Sequence, residues 1–192
     1  QTSTAYANAY LAPEQVIGSL RIPNPSVADA LTINPFMGPD SIDPFINIAR
    51  RYQKGLFILV KTSNPGAAMV MGQANSSGYV YEQLAKMVHQ LGTSHYGQSG
   101  YSDIGAVVGA TAGQEARELR ALMPRSILLL PGIGAQGGDW ETVRACMDEQ
   151  GRGALVPISR SLTYFEDLGM DEACYQAQLH NAMATAVQSC LG

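Results

Sequence analysis

The chain is short of the residues that mark most special classes of protein. Its 192 residues include three cysteines, three histidines and one tryptophan, and aromatics make up 7%. Cys146, Cys174 and Cys190 are odd in number and lack metal-ligand spacing. They read as reduced structural thiols of a cytoplasmic protein, not as a disulfide framework. His89, His95 and His180 share no metal spacing either, so each reads as a surface or core residue. No apolar run approaches the roughly 18–20 residues that cross a bilayer. No charged stretch followed by an apolar core opens the chain as a secretion signal would. Charge is scarce too, at 15% of residues with a net of −4. That balance provides no general attraction for nucleic acid or an anionic membrane. A phosphate ligand would have to be held locally, by backbone N–H groups and one or two placed cations.

What is present is a globular composition, 46% hydrophobic with twenty glycines and ten prolines, of a length that suits one domain or a large part of one. Apolar β-rich runs alternate with helical patterns. Val27–Asn34 is the first run, and Asp40 or Ser41 can cap a helix with Ile42, Phe45, Ile46 and Ala49 on one face. Leu56–Val60 is continuously apolar, as in a strand covered on both faces. A helix is predicted from about Ser77 to Leu91, with Val80, Leu84, Met87, Val88 and Leu91 inward. Gly92–Asp103 reads as a loop and Ile104–Gly109 as a strand. Thr111 and Gln114 have capping-box spacing ahead of a helix ending at Pro124. Ser126–Leu130 is a strand; Asp139 caps a helix bearing Trp140, Val143 and Met147 and stopped by Gly151. Ala154–Ile158 is the last strand, and Asp171–Cys190 a long terminal helix. Asp43, Glu82, Glu115 and Asp171 fall in predicted first turns, where carboxylates favour the helix dipole. Five strands, each followed by a helix, argue for a single α/β domain over residues 1–192, built of βαβ units on a parallel sheet.

Three segments could carry chemistry. Pro131-Gly132-Ile133-Gly134-Ala135-Gln136-Gly137-Gly138-Asp139 lies between a buried strand and a capped helix. Its glycines let backbone N–H groups turn toward an anion, and the helix start adds a positive end. It is neither a nucleotide P-loop nor a dinucleotide fingerprint, and a plain tight turn is the alternative. Pro157-Ile158-Ser159-Arg160-Ser161 ends the next strand, and Arg160 can meet a phosphate bidentately. Alone, Arg160 reads as a solvated side chain; beside the glycine loop it reads as a phosphate ligand, because barrels often build that site from the loops after their last two strands. Thr62-Ser63-Asn64-Pro65-Gly66 follows the Leu56–Val60 strand and suits either a turn or a ligand-facing serine.

These segments, with Val108-Gly109-Ala110-Thr111, Asn34-Pro35-Phe36-Met37-Gly38 and the opening Thr2-Ser3-Thr4-Ala5-Tyr6-Ala7, stand in the order and spacing of orotidine 5′-monophosphate decarboxylases. The likeness is to the longer-chain bacterial and protozoan subgroup, and it covers essentially the whole chain. It implies a (β/α)₈ TIM barrel, with about strands 4–8 in this chain. It also implies conversion of orotidine monophosphate to UMP and CO₂ in pyrimidine biosynthesis, without metal or organic cofactor. By that resemblance Gln136, Arg160 and the Ser159 backbone grip the phosphate. Ser63 bonds the pyrimidine amide, and Pro131 and Ile133 pack beside the ring. Thr2 touches the ribose in the neighbouring subunit of a homodimer with shared sites.

The family's Asp-x-Lys-x-x-Asp motif, with the lysine that protonates C6, would lie just before Gln1, so no catalytic residue is assigned here. Lys54, Lys61 and Lys86 do not match that lysine. The start without Met reads as cut from something longer, and five strands cannot close an eight-stranded barrel. A second polypeptide or upstream residues completing the barrel are therefore expected. The alternatives are a related sugar-phosphate decarboxylase and a non-catalytic nucleotide-phosphate-binding fragment.

Overall fold

The computed structural model describes residues 2–134, 136–164 and 169–191. The chain opens with helix α1 (Thr2–Leu11) and a hairpin of β1 (Glu14–Ile17) and β2 (Leu20–Pro23). Strand–helix units follow. The first is β3 (Ala30–Ile33) with α2 (Pro39–Arg51). Next is β4 (Gly55–Lys61), trailed by α3 (Ala67–Val70), a small hairpin of β5 (Ala74–Asn75) and β6 (Gly78–Tyr79), and α4 (Val80–Gly92). Then come β7 (Ile104–Val108) with α5 (Gln114–Leu122), and β8 (Leu128–Leu129) with α6 (Trp140–Ala145). The last unit is β9 (Ala154–Leu155) with α7 (Arg160–Thr163) and α8 (Glu172–Leu191). The five central strands pair in parallel in the order β3-β4-β7-β8-β9. Spatial order thus equals chain order, as the wall of a barrel requires, and β3 and β9 each have one open edge.

The continuous apolar run in β4 explains its place near the middle of the sheet. Leu56, Ile58 and Val60 are buried, while Phe57 and Leu59, on the alternate face, are half-buried. The buried set packs with Ile42, Ile46 and Ala49 of α2 and with Ala85 and Val88 of α4. Covering each large side chain stabilises the fold by about 1.5–3 kcal/mol. On the opposite face Phe57, Gly105, Ile127 and Leu155 line an open concavity of about 700 Å³ at the strand starts.

Element boundaries depart from the sequence pattern where side chains redirect the backbone. Helix α2 begins at Pro39, so Asp40 and not Asp43 stands in its first turn. The expected start at Ser77 is occupied by the β5–β6 hairpin. Helix α4 begins at Val80, and its buried stripe is Tyr81, Ala85, Val88 and Gly92, with Leu84, Met87 and Leu91 only partly covered. Thr111 does not cap α5. The chain makes a turn from Gly109 to Ala112, and the N-cap is Gly113 at φ 53.

Asp139 caps α6 as expected, accepting from the Thr142 N–H. That helix ends at Ala145, not near Gly151, because the Asp148 carboxylate takes the N–H groups of Gln150 and Arg152 into a turn. The β1–β2 hairpin was not anticipated. Its cue was Gly18-Ser19 between Val16-Ile17 and the alternating Leu20-Arg21-Ile22, with Gly18 at φ 61. Asn24 Nδ2 ties it down by donating to the carbonyls of Ala9 and Ala12 at the end of α1.

Candidate functional site

The loops that leave the carboxyl ends of β4, β8 and β9 meet at one place. After β8 the chain is turned back by Gly138 N–H donating to Gly132 O and Gly137 N–H to Gly134 O, 3.0 Å each. Gly132, Gly134 and Gly137 all have positive φ, at 114°, 83° and 77°. Gly138 is required for a different reason: a Cβ there would lie 2.8 Å from both Ala110 Cβ and the Gly132 carbonyl oxygen. Ala135, within this loop, lies outside the described residues, as does Gln1. The loop hands directly to Asp139. The Thr142 backbone N–H first, and its hydroxyl as well, hold the Asp139 carboxyl below the usual carboxylate range.

After β9, Ser159 O accepts from Leu162 N, Thr163 N and Thr163 Oγ1, which turns the chain into α7 and exposes Arg160. Among the described residues the Arg160 guanidinium has no carboxylate partner. A guanidinium exposed at a strand-end turn can meet an anion bidentately.

The two loops enclose a cavity of about 200 Å³ lined by Pro131, Gly132, Ile133, Gln136, Pro157, Ser159, Arg160 and Ser161. That is several times the roughly 30 Å³ share of one water. Five sequence-predicted residues, Pro131, Ile133, Gln136, Ser159 and Arg160, therefore stand together. Gly132, Pro157 and Ser161 join them; each belonged to a flagged segment but not to the predicted set.

Ser63 joins from β4. Its Oγ donates to Gln136 Oε1 at 2.6 Å. A Cβ placed on Gly109 would come 2.9 Å from the Ser63 Cβ, so the glycine lets the serine sit against β7's end. With Oε1 accepting from Ser63, the Gln136 amide nitrogen can donate to a ligand.

Thr2 is elsewhere. It opens α1 and lines a separate cavity of about 380 Å³ with Tyr6, Tyr10, Leu31, Asn34 and Met37, among others. The lysines are also accounted for: Lys54 pairs with Asp29 and Lys61 with Glu115. Lys86 is exposed on α4. Among the described residues no three His, Cys, Asp or Glu side chains gather as a metal site, and no helix is long and apolar enough to cross a membrane. Neutral amide, hydroxyl, backbone N–H and one guanidinium together suit a phosphorylated ligand with a polar ring.

Known proteins similar to this chain in sequence and fold are numerous. The model of a family described as "Orotidine 5'-phosphate decarboxylase / HUMPS family" matches residues 21–167. An orotidine 5′-phosphate decarboxylase of Rhodopirellula baltica is 44% identical over 163 residues, covering 85% of this chain and 52% of that protein. One of Deinococcus radiodurans is 37% identical over 173 residues, covering 90% and 58%. The solved OMP decarboxylase of Leishmania donovani superposes with a TM-score of 0.68 at 28% identity, over 96% of this chain and 63% of that one. The chain thus spans about half the length of the curated relatives it matches. The parallel five-strand sheet corresponds to part of the (β/α)₈ barrel wall of these structures.

Proposed function

Because the chain belongs to the orotidine 5′-phosphate decarboxylase / HUMPS family, we propose that it supplies the phosphate- and base-holding part of an orotidine 5′-monophosphate decarboxylase. The reaction is loss of CO₂ from C6 of the pyrimidine, giving UMP. One observation carries the reading: Gln136 and Arg160 line a single cavity, and Ser63 is bonded to that same Gln136. In this reading Arg160, the Gln136 amide and the backbone at Ser159 hold the phosphate. Ser63 faces the pyrimidine amide, and Pro131 and Ile133 lie beside the ring.

In this reading the lysine that protonates C6 and its partner aspartates would come from residues ahead of Gln1, at the end of a strand that would pair with the open edge of β3. The concave face lined by Phe57, Ile127 and Leu155 is the interior such strands would fill. Catalysis is then electrostatic: a placed ammonium stabilises the carbanion left by CO₂ and protonates it. The remote phosphate contributes binding energy to loop closure and desolvation at the reacting carbon. A cytoplasmic homodimer in which Thr2 reaches the neighbouring subunit's ribose completes the reading, with no metal or organic cofactor.

Two assays test it. The 192 residues by themselves should bind UMP without turning over orotidine monophosphate. Joined to strand–helix units carrying an Asp-x-Lys-x-x-Asp motif, they should decarboxylate it. A completed barrel that stays inactive, or prefers pentose phosphates to UMP, overturns the reading in favour of a related sugar-phosphate enzyme.

A further inference from the structure

Lys61 has no part in the reading above, yet its ammonium is held on two sides, by Glu115 and by the Tyr81 ring. It ends β4 two residues before Ser63. The β4–β7 register shifts between Leu59 and Lys61, a bulge of the kind that re-aims a side chain at a strand end. Strict alternation would put Lys61 on the concave face with Phe57 and Leu59. Its ammonium instead reaches the helix layer, 2.8 Å from Glu115 Oε2 on α5 and 4.2 Å from the centre of the Tyr81 ring on α4.

Residues 62–80 form an arch that leaves the sheet at Lys61 and returns at Tyr81, which is itself buried. Both feet of the arch touch Met71: Thr62 N–H donates to its sulfur at 3.4 Å and Tyr81 N–H to its carbonyl at 3.1 Å. Ser63 sits in the first foot, pressed against Gly109, whose own N–H donates to the Lys61 carbonyl at 2.7 Å. Lys61 is therefore the one basic side chain, facing Glu115, among the residues that line the junction of the two feet. Its side chain is 19% exposed, so water competes weakly with Tyr81 and Glu115 for the ammonium.

We propose that Lys61 is a positioning residue: its ammonium pins the returning foot of the 62–80 arch to its departing foot and so fixes Ser63 for the base end of a nucleotide. The ligand side of this inference rests on the role given to Ser63 above; the clamp itself does not.

The experiment has two arms on the purified protein. In the first, amide hydrogen exchange is compared for wild type, Lys61→Met and Lys61→Arg. Lys61→Met should speed exchange of the arch roughly tenfold, a typical coupling for contacting groups. Exchange in β7 should be unchanged and Lys61→Arg should restore protection. In the second, UMP and inorganic phosphate affinities are measured for Lys61→Met, Ser63→Ala and the double variant. Lys61→Met should weaken UMP several-fold and leave inorganic phosphate unaltered, and the double variant should be no weaker than Ser63→Ala. Unchanged arch exchange in Lys61→Met overturns the clamp. Faster exchange with fully additive UMP losses overturns the link to Ser63. If wild type binds no UMP while the arch still responds to Lys61→Met, the nucleotide reading falls and the clamp stands.

Discussion

Arg120 offers the sharpest test of how the site is held up from below. Its guanidinium donates to the carbonyls of Ser126 at 2.7 Å and Gly153 at 3.1 Å, and also to that of Met123. Ser126 lies two residues before β8 and Gly153 one residue before β9, the two strands whose far ends carry the glycine loop and Arg160. One side chain therefore ties both strands at the base. Arg120→Met keeps the aliphatic stem and removes every donor. A hydrogen bond to a charged group contributes about 1.5–3 kcal/mol net, so the Ser126 and Gly153 bonds together give roughly 3–6 kcal/mol. Burial disfavours the charged form and lowers the guanidinium's pKa, so deletion also relieves a desolvation cost, and the net loss should be about 3 kcal/mol. For a chain of this size that lowers Tm by about 6–12 °C. Arg120→Lys keeps the charge without the fork and should fall between. Urea unfolding followed by circular dichroism measures it. A loss of under about 0.5 kcal/mol for Arg120→Met, or full function of lysine in its place, would show that the bases of the two strands are held by packing alone.

Gly138→Ala should cost about 1–3 kcal/mol by overpacking and weaken phosphate binding more than it lowers Tm, as calorimetry beside a thermal melt would reveal. Arg160→Ala should weaken UMP by roughly ten- to a hundredfold, the range for a lost charged hydrogen bond, and flatten the salt dependence of binding; equal affinities at all salt concentrations would remove Arg160 from the site. Burial pushes the Cys146 thiol up to about 11 from the ordinary 9.0, so the folded state retains its proton longer than the unfolded chain. That contribution to stability is complete below pH 9.0 and is lost as pH rises through about 11. Tm should accordingly fall over that window, and less steeply in Cys146→Ala. At pH 8 a thiol reagent should label exposed Cys174 quickly and Cys146 only on unfolding.

The five parallel strands and the helices between them were legible because Leu56–Val60, Ile104–Val108 and their counterparts are apolar runs bounded by turn residues, a strong local signal. The hairpins were not, since β5–β6 has two-residue strands and Ser77–Tyr79 continues smoothly into a helical pattern. The end of α6 was misplaced because Asp148 competes for backbone N–H groups, a side-chain effect that periodicity does not register. At the site, the glycine loop and Arg160 were readable from their strand-end positions. The Ser63–Gln136 bond was not, because it joins residues 73 apart in sequence. The outward turn of Lys61 was hidden as well: it depends on a bulge, and nothing in Leu59-Val60-Lys61 announces one.

The eight residues around the cavity proposed for the phosphate fall between Pro131 and Ser161, a stretch that runs from the loop after β8 through α6 and β9 into α7. In the proposed reading, gripping a phosphate is a short-range property of the chain that a graft of some thirty consecutive residues would carry, whereas telling one base from another draws on a serine from a distant strand. Damage that loosens long-range contacts should thus blur selectivity among nucleotides before it erodes attraction for the anion they share.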